Sequence, residues 1–289
     1  MEDMWKDWFI RYSSIYKCRY TKKEKMRFLK AFVVDIAQIR KDIKVIEYQH
    51  GITNVYVGDI EHADKIICTY YDTPPISIKN YPLFDTKLQK KQILSAIIPM
   101  TTLWIFFGRI FTFILYHNLI NKFSLVSIQT LGTIILYFLY FKILSSISKG
   151  AINRKTLIRN TSSLLCILDI LNKYQLNKKI AFAFVDGGCS GGQGLDILCS
   201  VTRKNAKIYY LDCIGADATL YGLGNFKKLD DNERIQLLSS TQRVQYLFCA
   251  DQKDDDGFKL DQKILKQKHM NYENYLVVKE ILEKELMLC

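Results

Sequence analysis

The chain has 289 residues, 41 Lys and Arg against 29 Asp and Glu (net charge +12), 49% hydrophobic and 13% aromatic residues. That length accommodates one sizeable α/β domain plus a modest extra element, not obviously two domains, and the lysine excess reads either as a nucleic-acid surface or as membrane-facing charge, with placement deciding. Cys18, Cys68, Cys166, Cys189, Cys199, Cys213, Cys249 and Cys289 are scattered without a CxxC pair, which argues against a disulfide framework or zinc knuckle and for buried thiols in a reducing compartment; the acidic start Met1-Glu2-Asp3 lacks the pattern of a secretory signal.

Trp5, Trp8, Phe9, Tyr12, Ile15 and Tyr16 recur at helical spacing, so the first helix carries an aromatic stripe that packs on the domain body or lies at a membrane interface. Thr21 and Glu24 form a capping box. They open a second helix with Phe28, Leu29, Phe32, Val33, Ile36 and Ile43 on one side and Lys22, Lys23, Lys25, Arg27, Lys30, Arg40 and Lys41 on a solvated face. Val55–Val57 and Lys65–Tyr71 are expected strands, and Asp72-Thr-Pro-Pro75 ends the second.

The stretches 93–120 and 124–147 are almost wholly apolar, and each exceeds the roughly 20 helical residues that cross a bilayer. Asn121-Lys122-Phe123 between them is too short for a folded domain, so a transmembrane hairpin is expected rather than two buried core helices. Lys87, Lys90 and Lys91 precede it, Lys149, Arg154, Lys155 and Arg159 follow it, and the tip carries Lys122, which places both chain ends in the cytoplasm. Arg109 and Lys142 are costly in lipid; Lys142 can snorkel, and Arg109 either snorkels or faces a helical partner. The expected organisation is residues 1–91, a hairpin over 92–148, and residues 149–289 completing the first part.

After the hairpin, Ser162–Tyr174 reads as an amphipathic helix and Ile180–Val185 as a strand buried on both faces. A glycine turn follows, in which Asp186, Cys189 and Ser190 are the side chains able to act on a ligand. Ala206–Leu211 and Val244–Ala250 are strand-like, Leu237–Gln242 looks helical, and Asn274–Met287 is a final helix. The acidic run Asp254-Asp255-Asp256 has Gln252 where a first calcium ligand belongs and reads as a surface loop.

In order, Asn54-Val-Tyr-Val57, Ile67-Cys-Thr-Tyr-Tyr-Asp-Thr73, Arg159-Asn-Thr-Ser-Ser-Leu-Leu-Cys-Ile-Leu168, Ile180 to Gly191 and Leu211-Asp-Cys-Ile-Gly215 resemble the motif series of the dizinc exopeptidases related to aminopeptidase Y and bacterial leucyl aminopeptidase. The family motifs read approximately N-V-x-A, G-A-H-Y-D-T, D-N-A-S-G-x-A-x-x-L, F-x-F-F-D-G-E-E-x-G and L-D-M-x-G. The resemblance implies a zinc-exopeptidase-like α/β fold, a mixed sheet flanked by helices, here interrupted by the two-helix hairpin where the family has a short segment.

Carried over position by position, the resemblance places Tyr70 at a histidine ligand and Asp72 at the aspartate supporting it. Arg159 falls at the bridging aspartate, Gly188 at the general-base glutamate and Cys189 at the neighbouring glutamate ligand. Asp212 keeps an aspartate ligand, and His269 stands at the final histidine. A guanidinium in place of the bridge puts a fixed positive charge where two dications belong, and Gly188 offers no base, so dizinc hydrolysis is not expected. A single residual metal on Cys189, Asp212 and His269 is conceivable, as is a Cys189 thiol with His269 as base; the favoured arrangement is Arg159 paired with Asp212 or Asp72. The expectation is therefore a multi-pass, cell-membrane pseudo-peptidase without catalysis, metal or cofactor, with its soluble part cytoplasmic, binding a peptide or partner subunit in a membrane complex for peptide export, maturation or immunity. The alternative is a divergent membrane-bound metallopeptidase. Nucleic acid is not an expected partner, because many of the basic residues flank the spans or line one helix.

Overall fold

The apolar run Ile180–Val185 has no polar residue because it has no wet side: all six residues are buried in the middle of a sheet. The computed structural model describes residues 2–77, 79–119, 127–175, 177–189, 191–226, 234–252 and 257–287. In chain order its elements are α1 (Glu2–Ile10), leading into a π-helical turn (Arg11–Ile15), α2 (Lys22–Ala37), β1 (Ile43–Glu47), β2 (Thr53–Val57), β3 (Lys65–Tyr70), β4 (Tyr81–Pro82), α3 (Thr86–Leu119) and α4 (Ile128–Ser148). A second π-helical turn (Leu157–Thr161) opens α5 (Ser162–Lys173), followed by β5 (Ile180–Val185), α6 (Gln193–Val201), β6 (Lys207–Asp212), β7 (Thr219–Leu223), β8 (Ile235–Leu238), β9 (Val244–Gln252), β10 (Phe258–Leu260), α7 (Gln262–Leu265) and α8 (Tyr272–Met287).

By internal contacts the chain divides into two units, one of Met1–Pro74, Ile78–Gln89 and Asn153–Cys289, the other of Pro75–Ser77 and Lys90–Ile152. The first is a mixed α/β sheet flanked by helices. Its centre is the parallel array β5-β3-β6-β9, with Lys65 opposite Ile180 and Lys207. Antiparallel β2 and β1 extend it beyond β5, while β7 and β10 both pair antiparallel with the long β9. Alternation along β5 divides the interior in two. Ile180, Phe182 and Phe184 join α1, α2, α5 and α8 in the larger core, whereas Ala181, Ala183 and Val185 face Tyr70, Cys189 and Leu198 of α6.

Several sequence expectations change here. The aromatic stripe packs on the body: Trp8 and Tyr12 are buried, and Trp5 Nε1 donates to Tyr275 Oη at 3.1 Å. The capping box forms as read, but α2 stops at Ala37. Arg40 turns inward to bond Asp42 and the Ile180 carbonyl, and Ile43 begins β1 instead of continuing the helix. Lys25 also leaves the expected solvated face for a buried carboxylate. Leu237–Gln242 is not helical, since Ile235–Leu238 pairs with β7. The hairpin tip Asn121-Lys122-Phe123 and the Asp254–Asp256 run lie outside the described residues.

In the second unit, α3 and α4 are long and apolar enough to cross a membrane, with only 6% of each apolar window buried. That exposure is not that of buried core helices, in keeping with the sequence reading. The pair is tied by Trp104 stacked on Tyr140 at 5.8 Å and by Tyr137 Oη donating to Thr112 Oγ1 at 2.8 Å. Gly108 makes room for Tyr140, whose hydroxyl would lie 2.1 Å from a Cβ at that position, the close approach that small residues permit between helices.

Gly194, in the first turn of α6, has a comparable role in the first unit: a Cβ there would sit 2.2 Å from the Asp186 carbonyl oxygen and 2.9 Å from Asn54 Oδ1. Gly194→Ala is expected to lower unfolding stability by about 2 kcal/mol or more, the range of an overpacked core, as read by urea denaturation in detergent.

Candidate functional site

Because β3, β5 and β6 run parallel, their last residues, Tyr70, Val185 and Asp212, end at one edge of the sheet, where α/β folds place their sites. Immediately beyond them come Asp72, the turn Asp186–Cys189, and Cys213. Asp72 accepts hydrogen bonds from the Gly188 and Cys189 amides at 2.8 and 3.1 Å, and the Cys189 thiol donates to the Asp72 carbonyl oxygen at 3.3 Å. Asp186 accepts from the Gly187 amide at 2.7 Å and from Lys25 Nζ at 2.5 Å, while its own amide donates to Asn54 Oδ1. The turn requires left-handed backbone at Gly187 (φ 72°) and Gly192 (φ 74°), which glycine adopts without a Cβ penalty. At Gly188 the constraint is space. An added Cβ would lie 2.3 Å from both Cβ and Cγ of Tyr70, so the tyrosine fills the room a side chain at 188 would use.

Arg159 reaches this edge from the π-helical turn before α5 and is nearly buried, with 9% exposure. Its Nε donates to Tyr70 Oη at 3.2 Å, and Tyr70 Oη donates to Asp212 Oδ1 at 2.9 Å. The guanidinium lies over the Tyr81 ring, 3.8 Å from its centroid, and Tyr81 Oη donates to Asp212 Oδ2 at 2.7 Å. Cation and carboxylate are thus joined through two phenols. This corrects the expected direct ion pair: among the described residues Arg159 has no carboxylate partner within salt-bridge distance. Cys213, held left-handed at φ 54°, donates its amide to the Arg159 carbonyl at 3.2 Å and its thiol to Asp212 Oδ1 at 3.2 Å.

Six of the seven sequence-derived positions therefore meet at one edge: Tyr70, Asp72, Arg159, Gly188, Cys189 and Asp212. His269 is exposed on a bend after α7, and no hydrogen bond or ion pair joins it to the others. Ser190 lies outside the described residues. Neither residual chemistry suits this geometry. Among the described residues no group of three His, Cys, Asp or Glu could hold a metal ion, both Asp212 oxygens accept tyrosine hydroxyls, and a cation occupies the centre, so the donor set does not fit zinc. Burial pushes the Cys189 thiol well above its ordinary pKa, and Asp72 and Asp212 add to the rise against the opposing pull of Arg159 and Lys25, which keeps it a protonated, poor nucleophile.

Sequence reasoning missed three participants. Tyr81 belongs to a short apolar run, Tyr81-Pro-Leu-Phe84, set off by Asn80, which is a strand signal. Lys25 was concealed among like residues on α2. Arg19 is fully buried, donating to Asn160 Oδ1 and Thr161 Oγ1 at 3.0 and 2.9 Å; burial lowers its pKa to about 10, so it remains charged at neutral pH. A cleft of about 880 Å³, lined by Lys204, Lys207 and Arg243 among others, opens at the starts of β6 and β9, the opposite edge from this cluster.

No protein-family model matches the chain, and no curated protein matches it in sequence. Among solved structures it is similar to the LapA aminopeptidase of Legionella pneumophila (10% identity, 98% of this chain and 70% of that one, TM-score 0.48). It is also similar to the glutaminyl cyclase of Porphyromonas gingivalis (11% identity, 98% of each chain, TM-score 0.48). At these values the likenesses bear on neither activity nor ligand.

The charges at the edge are coupled. Burial raises the Asp72 pKa to about 6; Asp186 adds to the rise, and Lys25 and the Gly188 and Cys189 amides oppose it. Because the folded value lies above the unfolded value of about 3.9, the contribution of Asp72 to stability is fully present below about pH 4 and is lost as pH rises through about 6. Wild type should therefore lose about 2 kcal/mol of its stability difference from Asp72→Ala between pH 4 and pH 7, measured by denaturant unfolding across that range; a difference that is flat or grows with pH contradicts the assignment.

Proposed function

We propose that this chain is a membrane-anchored, catalytically inactive peptidase-like protein that binds a peptide or a partner subunit within a membrane complex. The observation that carries the reading is the Arg159 guanidinium, seated between Tyr70 and Tyr81 where the resemblance expects a metal-bridging carboxylate. A permanent cation there opposes dication binding, and Gly188, backed by the Tyr70 ring, leaves no general base. What remains is a rigid sheet edge with organised donors, suited to binding. In this reading the hairpin crosses the bilayer twice, and Lys87, Lys90, Lys91, Lys149, Arg154 and Lys155 hold both chain ends on the cytoplasmic side. Arg159, counted by sequence among the flanking charges, is engaged in the cluster instead.

Purification of the full chain in mild detergent tests this. Zinc well below one equivalent per chain, no hydrolysis of aminoacyl anilides and a co-purifying peptide or membrane protein are expected. Stoichiometric zinc that disappears in Asp212→Ala, together with hydrolysis, would overturn the reading.

A further inference from the structure

Arg159 is more than nine-tenths buried, yet among the described residues the only hydrogen bond of its side chain runs from Nε to Tyr70. Neither terminal nitrogen has a hydrogen-bond partner among the described residues. The rest of the group is fixed. Tyr81 covers one face at 3.8 Å, Tyr70 holds Nε, and Asp212 engages the two phenols rather than the guanidinium itself. Burial opposes the charge, but the surroundings, with Asp212 as their carboxylate, favour it more strongly and hold the pKa above its ordinary value, so the group is a permanent cation.

A guanidinium held in this way presents its terminal Nη1–Nη2 edge, whose N–H groups match the two oxygens of a carboxylate. We infer that the terminal nitrogens of Arg159 form a receptor for a single carboxylate on a peptide ligand, supplied either by the C-terminal end of the peptide or by an Asp or Glu side chain. A monoanion suits the site better than a phosphate, because Asp72, Asp186 and Asp212 are already buried nearby and would repel a second negative charge. The preorganisation matters energetically: with the arginine already ordered, the ligand bears little of the cost of fixing its rotamers. The inference rests on the proposed peptide-binding role and specifies which peptide chemistry the site takes.

The test uses the full-length chain in detergent and three N-acetylated random hexapeptide libraries, with bound peptides identified by mass spectrometry. One library has a free C-terminal acid and no Asp or Glu, the second has a C-terminal amide and includes Asp and Glu, and the third has an amide and no Asp or Glu. Enrichment of the first or the second by about tenfold over the third, one good charge-assisted pair, supports the inference and identifies the carboxylate source. In Arg159→Lys, which keeps the charge without the fork, that preference should fall to about twofold or less; thermal unfolding confirms that the variant is folded. Equal retention of all three libraries overturns the carboxylate receptor and leaves peptide binding standing. Retention of none overturns both. Because the library comparison is made on the unmodified chain, it holds even where a variant fails to fold.

Discussion

Everything at the carboxyl edge of the sheet is arranged around one buried guanidinium. Desolvating an arginine costs several kcal/mol unless an anion and hydrogen bonds compensate, and here the compensation arrives indirectly, through Tyr70 and Tyr81 to Asp212. Each phenol has two tasks. Tyr70 accepts from Arg159 while donating to the carboxylate, and Tyr81 offers its ring face to the cation and its hydroxyl to the same carboxylate. Removing either charge alone would strand the other in a low-dielectric setting, so the four residues form a unit.

The surrounding backbone follows from that unit. Tyr70 can occupy its position only because residue 188 has no Cβ, and Asp72 anchors the glycine turn by capping the Gly188 and Cys189 amides. Lys25, from the first turn of α2, supplies the positive charge that lets Asp186 stay buried beneath that turn. Two further cations, Lys25 and Arg19, thus approach the same edge as Arg159, where Asp72, Asp186 and Asp212 converge. Three side-chain cations beside three carboxylates is a distribution of charge that needs no ion to balance it.

Much of this was legible in the sequence, for identifiable reasons. Ile180–Val185 is apolar at every position because both faces of the sheet are covered, and the capping box at Thr21 and Glu24 is a local interaction that tertiary structure did not override. The apolar helices were legible from length alone. What escaped was non-local. Ile43 continues the apolar stripe of α2 in register, yet the chain leaves the helix after Ala37 and pairs Ile43 with Val57; periodicity cannot see a partner strand. β8 was hidden for the same reason, since it is a short strand that pairs with β7 and, among the described residues, with no other strand. At the site, the replaced positions could be read from motif order, but the route from Arg159 to Asp212 could not. Tyr81 enters from β4, paired with β10 far along the chain, and Lys25 resembles its lysine neighbours until the fold brings Asp186 to it.

The central claim is that Arg159 and Asp212 are energetically one unit though they do not touch. A double-mutant cycle with Arg159→Gln and Asp212→Asn, followed by equilibrium unfolding in detergent at pH 7, measures this directly. The account predicts a coupling free energy of about 1.5 kcal/mol or more, within the range for residues sharing a hydrogen-bond and charge network; additive single-variant losses, with coupling within about 0.3 kcal/mol of zero, would contradict it.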